Sequence, residues 1–473
     1  MLKIFFLTKQ PTYTELYISV QELLKRVKEL EDLVTLNQKL TRENMVLKER
    51  LSKYENPKNS RNSSIPPSQD PNRPKPNQSL RKSSGKTVGG QKGREGKTLE
   101  MTTTPDEIIE LHPDYCSKCG ESLSQDMSIK EQTRQIVDIP PVKAVFTEYQ
   151  TFSKICSCGC RTIADFPKAV NTPVSYGERI ESLIGYFHAR QYLPFVRMQE
   201  LFNDVFKINI SEGGIHYLLN RFAKKVDPVY EIIKQRIASS KVIGTDETGV
   251  KVNGEKHWYW TWQTPNLTFI THSENRKHDT VKVHFPQGFP NSSLVHDGWK
   301  PQINTPAKNH QTCTAHLQRH LNYLNELYPK NKWGIQFLKL LHDSLDLKNT
   351  MDRQDYKQCF ERDKIIQSHT NLLNKPPDKK LKKLYTFYKR MCRERQYLFT
   401  FLFLEQVPPD NNASERAIRN AKVKQKISGQ FKIPQAAQNF AKIRSVIDTT
   451  IKNQMNVLES LILIAKFEFQ FND

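Results

Sequence analysis

The sequence predicts a multidomain α+β protein, and three observations carry that expectation. A leucine heptad runs through residues 16–54, two tight cysteine clusters lie at 116–120 and 156–160, and a strand-rich stretch punctuated by acids begins near residue 241. Their surroundings differ in composition, so the 473 residues read as a string of modules, with enough length for at least one large core.

In the first module, setting heptad position a at Leu23, Leu30, Asn37, Asn44 and Leu51 puts Leu33, Leu40 and Leu47 at d, with Arg26 the one blemish. A single amphipathic helix shares part of this pattern. The sustained period of seven and the two asparagines at a favour a coiled coil over residues 16–54, paired as a parallel dimer. Residues 55–100 are rich in Pro, Ser, Gly and Lys and cannot bury a core, so they read as a basic flexible linker able to lie along a DNA backbone. "SSGKT" within it lacks the first glycine of a phosphate-binding loop and follows no strand, which rules that reading out.

Five of the eight cysteines fall in "CSKCG" and "CSCGC". Such clusters in a reducing compartment point to metal rather than disulfides. A glycine after the second cysteine of each pair lets the knuckle turn, and the alternating "QIVDIP" and "VKAVFTEY" between them predict short strands. Residues 101–170 are thus expected to form a zinc ribbon. Its structural Zn²⁺ is assigned to Cys116, Cys119, Cys156 and Cys158, with Cys160 as the substitute for the last. Four thiolates leave no open position for catalysis. Residues 171–235 read as a helical DNA-binding region. "VRMQELFNDVF" and "SEGGIHYLLNRFAKK", the second capped by Ser211, flank "KINI" in the outline of a helix-turn-helix, an outline ordinary helical hairpins share.

The balance of 72 basic to 50 acidic residues, a formal net charge of +22, favours a polyanionic partner. Double-stranded DNA is the expected one. A membrane is not: "MLKIFFLTKQ" has only a short apolar core and no cleavage-like site, and no apolar run reaches spanning length, so a cytoplasmic location is expected.

From residue 236 to 473 the pattern carries chemistry. "KVIGTDETGVKVNG" reads as a strand with Asp246 and Glu247 on opposite faces, turning at Asn253-Gly254 into "KHWYWTWQT" and then "LTFITHSENR". "KHDTVKVHF" reads as a helix and "SSLVHDGW" as a short buried strand ending in Asp297. Three antiparallel strands, a helix and a parallel strand follow the order of a ribonuclease-H-like α/β core, in which acids at mid strand one and at the end of strand four are neighbours. Phosphodiester displacement uses two divalent cations roughly 4 Å apart. Mg²⁺, or Mn²⁺, prefers oxygen ligands, and carboxylates also offset its charge. Glu415, in "DNNASERAIRN", has the type and place of a third acid. Alone, Glu415 reads as the first turn of a solvated helix, capped by Asn412 or Ser414 and paired with Arg419, while Asp246 and Asp297 read as a strand-edge and a turn acid. The ordered triple is what favours a metal site. Arg416, Arg419, Lys424 and Lys426 behind Glu415 are the expected phosphate clamps. Amphipathic helices at about 321–405 read as an insertion, and "CTAHLQRHL" just before them places Cys313, His316 and His320 close together, as core packing or a metal site.

These residues resemble the transposases of the insertion-sequence 66 family, of the Asp-Asp-Glu group. The likeness runs through "KNSRNSSIPPSQD", "GGQKGREGKTL", the cysteine clusters, "TPVSYGERIESLIGYFHARQYLPFVRMQELF", "DETGVKV", "HDGW", "CTAHLQRHL" and "NNASERAIRNAKVKQKISG". The resemblance implies a bacterial, nucleoid-associated DNA transposase with Asp246, Asp297 and Glu415 as catalytic acids. It would release a 3′-hydroxyl at each element end and join it to target DNA, as a homodimer or higher synaptic oligomer, with helper proteins of the same element as further partners. Two rivals are a non-catalytic remnant acting as a DNA-binding regulator and a ribonuclease-H-like nuclease without strand transfer.

Overall fold

The computed structural model describes residues 12–55, 99–125, 127–167, 170 and 172–466, so nearly all of the expected linker lies outside the described residues. Helix α1 (Tyr13–Glu55) opens on a reciprocal cap, in which Glu15 accepts from Thr12 N at 2.8 Å and Thr12 Oγ1 accepts from Glu15 N at 3.4 Å. The expected helix is present. Its heptad leucines are all open to solvent, from 48% exposed at Leu40 to 61% at Leu23.

The described chain divides into two units, the smaller formed by residues 99–164 and 200–210. There, strands β1 (Ser153–Ile155) and β2 (Arg161–Ile163) pair antiparallel around the second cysteine cluster. Gly159 N donates to Cys156 O at 2.8 Å, and Gly120 N to Cys116 O at 2.9 Å, closing two similar knuckles. Both glycines have positive φ, +80° and +75°, which any Cβ would strain. The strands expected in "QIVDIP" and "VKAVFTEY" do not form: residues 127–152 carry none. Ile136, Val145 and Phe146 are each more than 85% exposed there, and alternation without a surface to pack on does not stabilise a strand.

The larger unit contains the five-stranded sheet. Helices α2 (Glu178–Ala189), α3 (Phe195–Asp204) and α4 (Glu212–Ala238) lead into it, and Ser211 Oγ caps α4 by accepting from Gly214 N at 3.1 Å. Both helices of the expected outline are present. α4, however, runs 27 residues and buries Ile215, Leu219, Phe222, Val226 and Ile233, so most of it is a core helix.

Strands β3 (Val242–Val252), β4 (Glu255–Gln263) and β5 (Thr268–Ser273) follow as an antiparallel meander, then helix α5 (Asp279–His284) and strand β6 (Phe289–His296). The β3–β4 turn has positive φ at both Asn253 and Gly254, the tight hairpin that Asn-Gly predicts. A short helix α6 (Lys300–Ile303) and a fifth strand β7 (Ala307–Thr312), which the sequence pattern did not reveal, complete the sheet. Its order is β5-β4-β3-β6-β7, with β6 parallel to both β3 and β7.

Helices α7 (Thr314–Leu327), α8 (Lys332–Thr350), α9 (Phe360–Leu373) and α10 (Lys382–Arg393) follow, α7 leaving β7 directly. They share a core that includes Leu317, Leu321, Phe337, Leu341, Phe387 and Met391 and runs on to Val295 of β6. The chain then passes two short turns of 3₁₀-helix and returns to the sheet as α11 (Asn412–Ser428), α12 (Pro434–Lys452) and α13 (Val457–Lys466). Both sheet edges are covered. The free N–H groups of β5 are taken by α12, where Thr449, Ser445 and Gln438 accept from Thr268, Ile270 and His272. At β7, Thr400 and Phe401 bond to His310 O and to the Gln311 side chain. Among the described residues no helix is long and apolar enough to cross a membrane.

Candidate active site

β3 and β6 bring the first two acids together. Their register pairs Gly244 with Val295, so two residues further on Asp246 stands beside Asp297, just past the end of β6. Gly298 then turns the chain with φ +86°, where a Cβ would collide with the Arg390 guanidinium, and Arg390 Nη2 donates to Asp297 O at 3.2 Å. Asp297 Oδ1 in turn accepts from Trp299 N at 2.9 Å.

A third carboxylate joins them. Oxygens of Asp246, Glu247 and Asp297 lie within 4.8 Å of one another, the one such grouping of metal-ligating side chains among the described residues. Alternation sets Asp246 and Glu247 on opposite faces, but β6 pairs with β3 only through Gly244, so beyond that point side chains from both faces reach one gap. Asp246 and Glu247 are each only 7% exposed. Burial, then the charges of Asp297 and Glu247, raises the Asp246 carboxyl well above its ordinary range. Burial and Asp297 likewise push Glu247 up to about 7, against the lowering effect of Arg276. Glu247 accepts from Arg276 Nε and from Gln302 Nε2, both at 2.6 Å. Arg276 lies over the rings of Trp299 at 4.1 Å and Trp258 at 5.0 Å.

Glu415 sits nearby but outside this trio. Asn411, at the start of α11, donates to Thr245 O at 2.7 Å and accepts from Ser414 Oγ at 2.6 Å, which pins the helix to β3 one residue from Asp246. Glu415 is close enough for its charge to add to the raising of Asp246. It pairs not with Arg419 but with Arg319 of α7 at 3.2 Å, and His316 Nδ1 is 3.7 Å away. "CTAHLQRHL" therefore does two jobs. Cys313 is buried with its sulfur accepting from Asn411 N and His320 packs edge-on to Phe387, whereas His316 and Arg319 face Glu415.

Arg416, Arg419 and Lys426 are exposed along one stripe of α11. Lys424 is not with them. It is 4% exposed, its ammonium lies 4.3 Å from the Phe431 ring, and burial lowers its pKa to about 8. The helical period turns position 424 onto the face that packs on β3, so this expected clamp belongs to the core. A cleft of about 920 Å³ opens at the start of α11, lined by Lys241, Gly244, Gln263, Asn411, Asn412 and Arg416 among others.

The cysteines form two separate knuckles: among the described residues no three of them gather as the acids do. Within the first pair, the N–H groups of Cys119 and Lys118 and the Cys119 thiol lower the Cys116 pKa, and Cys158 acts in the same way on Cys156.

Glu247 is the residue that sequence reasoning passed over. Its signal was adjacency to Asp246, discounted because alternate strand residues point apart. Arg319 and Arg276 carried no local signal at all.

Three family models match the chain. Residues 173–439 match the one described as Transposase IS66 family, residues 113–159 the zinc-finger binding domain of transposase IS66, and residues 9–100 a family of unknown function. No curated protein matches it. The sheet with its buried carboxylates is therefore part of a transposase, a DNA-processing enzyme. The first match covers more than half of the 473 residues, and the chain belongs to the IS66 transposase family.

Proposed function

We propose that this transposase cleaves the ends of its element and joins the released 3′-hydroxyl to target DNA, with Asp246, Asp297 and Glu415 as catalytic acids on a ribonuclease-H-like core. The observation that carries this reading is the convergence of Asp246, Glu247 and Asp297, from residues 50 apart in sequence, to within 4.8 Å at one strand end. The sheet order, with the meander on one side of β3 and two parallel strands on the other, supports the core assignment.

The donor set fits Mg²⁺ or Mn²⁺. It is all carboxylate oxygen, and its buried charges repel one another, which a divalent cation would relieve. Bound there, such cations would supply charge neutralisation at the phosphate and acidify the attacking water or hydroxyl. Asp246 and Asp297 would hold them, and Glu415 would complete the set. Glu247 either joins as a ligand or, through Arg276 and Gln302, fixes the loop that carries Asp297. Exposed Arg416, Arg419 and Lys426 would grip DNA phosphates beside the cleft, as point charges and forks suited to phosphate oxygen. In the smaller unit, Zn²⁺ would be held by Cys116, Cys119, Cys156 and Cys158, whose pairwise N–H contacts already favour thiolate. Double-stranded DNA is the partner, engaged by a dimer or larger assembly formed through α1, in the bacterial cytoplasm.

Asp246→Asn and Glu415→Gln test the site. Each is expected to leave affinity for duplex DNA within a few fold and to reduce Mg²⁺-dependent nicking by at least about a hundredfold, the scale of losing a transition-state charge contact. Nicking near the wild-type rate in either variant would remove that residue from the site. Strand transfer from a pre-cleaved end separates a transposase from a nuclease that only hydrolyses.

A further inference from the structure

The helical insertion contains a feature that its packing does not explain. Residues 379–393 carry seven Lys and Arg and no acid. Within α10, Leu384, Phe387 and Met391 face the insertion core, while Lys382, Thr386, Lys389 and Arg393 form one exposed stripe, continued backwards by exposed Lys379 and Lys380.

A solvated helix face of ordinary kind is stabilised by acids one turn away and by cations near its carboxyl end. This one lacks acids in its first turn, although Arg390 and Arg393 in its last turn follow the second rule. Lys379, Lys380, Lys382 and Lys383 crowd the amino-terminal end, and Lys389 and Arg393 are like charges at i,i+4. At its carboxyl end the buried Glu394 is held by Arg390 and Arg393. Among the described residues Lys379, Lys380, Lys382 and Lys389 pair with no carboxylate. The stripe also has a direction. Its far end is bolted to the candidate active site, since Arg390 donates to Asp297 O and packs against Gly298.

We propose that the exposed face of α10 is a phosphate track, along which a DNA duplex lies as it leads to the carboxylates at the end of β3 and β6. The 12-residue helix is about 18 Å long, a span over which duplex DNA presents about ten phosphate charges. A polyanion would offset both the like-charge pair and the amino-terminal lysines, whereas an apolar or cationic partner would not. The inference deepens the transposase reading by naming the surface that delivers DNA.

The test uses the full-length chain and a random-sequence DNA duplex. Replacing Lys379, Lys382 and Lys389 together by Gln should make the slope of log K against log[salt] less steep by about two to three, at about 0.9 per lost phosphate contact. Thr386→Lys, which adds a cation to the same stripe, should tighten binding and steepen the slope by about one. Unchanged slopes in both variants overturn the track. Loss of binding to poly-glutamate with DNA binding unaltered would assign the face to an acidic protein and equally overturn it. Failure here is distinct from failure of the catalytic reading, because that is judged by nicking in Asp246→Asn and this by the affinity of variants whose acids are intact.

Discussion

At Asp246 a carboxylate is placed where water hardly reaches and two further acids face it, an arrangement that destabilises the metal-free protein. Both Asp246 and Glu247 bind protons more tightly when folded than when unfolded. For Glu247 the folded value is about 7 against 4.5 for the ordinary group. Its contribution to stability is therefore fully present below pH 4.5 and is lost as pH rises through 7. Chelator-treated protein should melt at a lower temperature at pH 8 than at pH 6, and Mn²⁺ should raise the melting temperature more at pH 8. Asp246→Asn should raise the melting temperature of the metal-free protein at pH 8 and blunt the Mn²⁺ response. A variant less stable than wild type without metal would mean that the acids are not in electrostatic conflict. Asp246 and Asp297 were legible in the sequence as acids ending or interrupting apolar strands. Glu247 was not, because period-two reasoning holds for an uninterrupted sheet and β6 stops beside it.

At the scale of elements, α11 ties Glu415 to the sheet. Asn411 is 2% exposed, and its amide ties Thr245 O of β3 to Ser414 of α11. Asn411→Ala would leave buried polar groups unpaired at a cost of about 1–3 kcal/mol each. The expected result is a lower denaturation midpoint and slowed nicking, because Glu415 loses its placement. Wild-type nicking in a destabilised variant would show that the anchor matters to the fold alone. Gly244 tells the same story from the strand side: a Cβ there would press on Ser414, Gln263 and Asn411, so helix and strand approach closely at this residue. The sequence announced α11 as a charged helix capped by Asn412 or Ser414, yet the cap is Asn411, whose side chain bonds both to Thr245 O of β3 and to Ser414 Oγ. Likewise Glu415 finds Arg319, 96 residues away, rather than Arg419 on its own helix. Local rules cannot weigh a partner that only folding brings near.

At the scale of the molecule, the expectations concern assembly and metal. The stripe of Leu23, Leu30, Leu33, Leu40, Leu47 and Leu51 stands exposed on α1, as a seam awaiting an identical helix would. Sedimentation should show a dimer without DNA, and deletion of residues 1–54 should give monomers. A monomeric full-length protein at micromolar concentration would leave α1 a solitary helix. Protein purified without chelator should contain one zinc per chain, and Cys119→Ser should lose it and unfold residues 110–165 while nicking by the larger unit survives. Absence of zinc by elemental analysis would refute the four-thiolate assignment, including the preference for Cys158 over Cys160.

By itself the sequence determined the first long helix, the two cysteine knuckles and the strand-helix-strand order of the sheet, because hydrophobic period, turn residues and ligand spacing are local properties of the chain. The tertiary structure decided what depends on where separate elements meet. It drew Glu247 into the acidic group through the gap beyond β6, turned Lys424 inward onto Phe431, and set Arg319 and His316 against Glu415. The physical reason is the same in each case. Charge and burial are fixed by neighbours in space, and for these residues the neighbours lie on other elements of the fold.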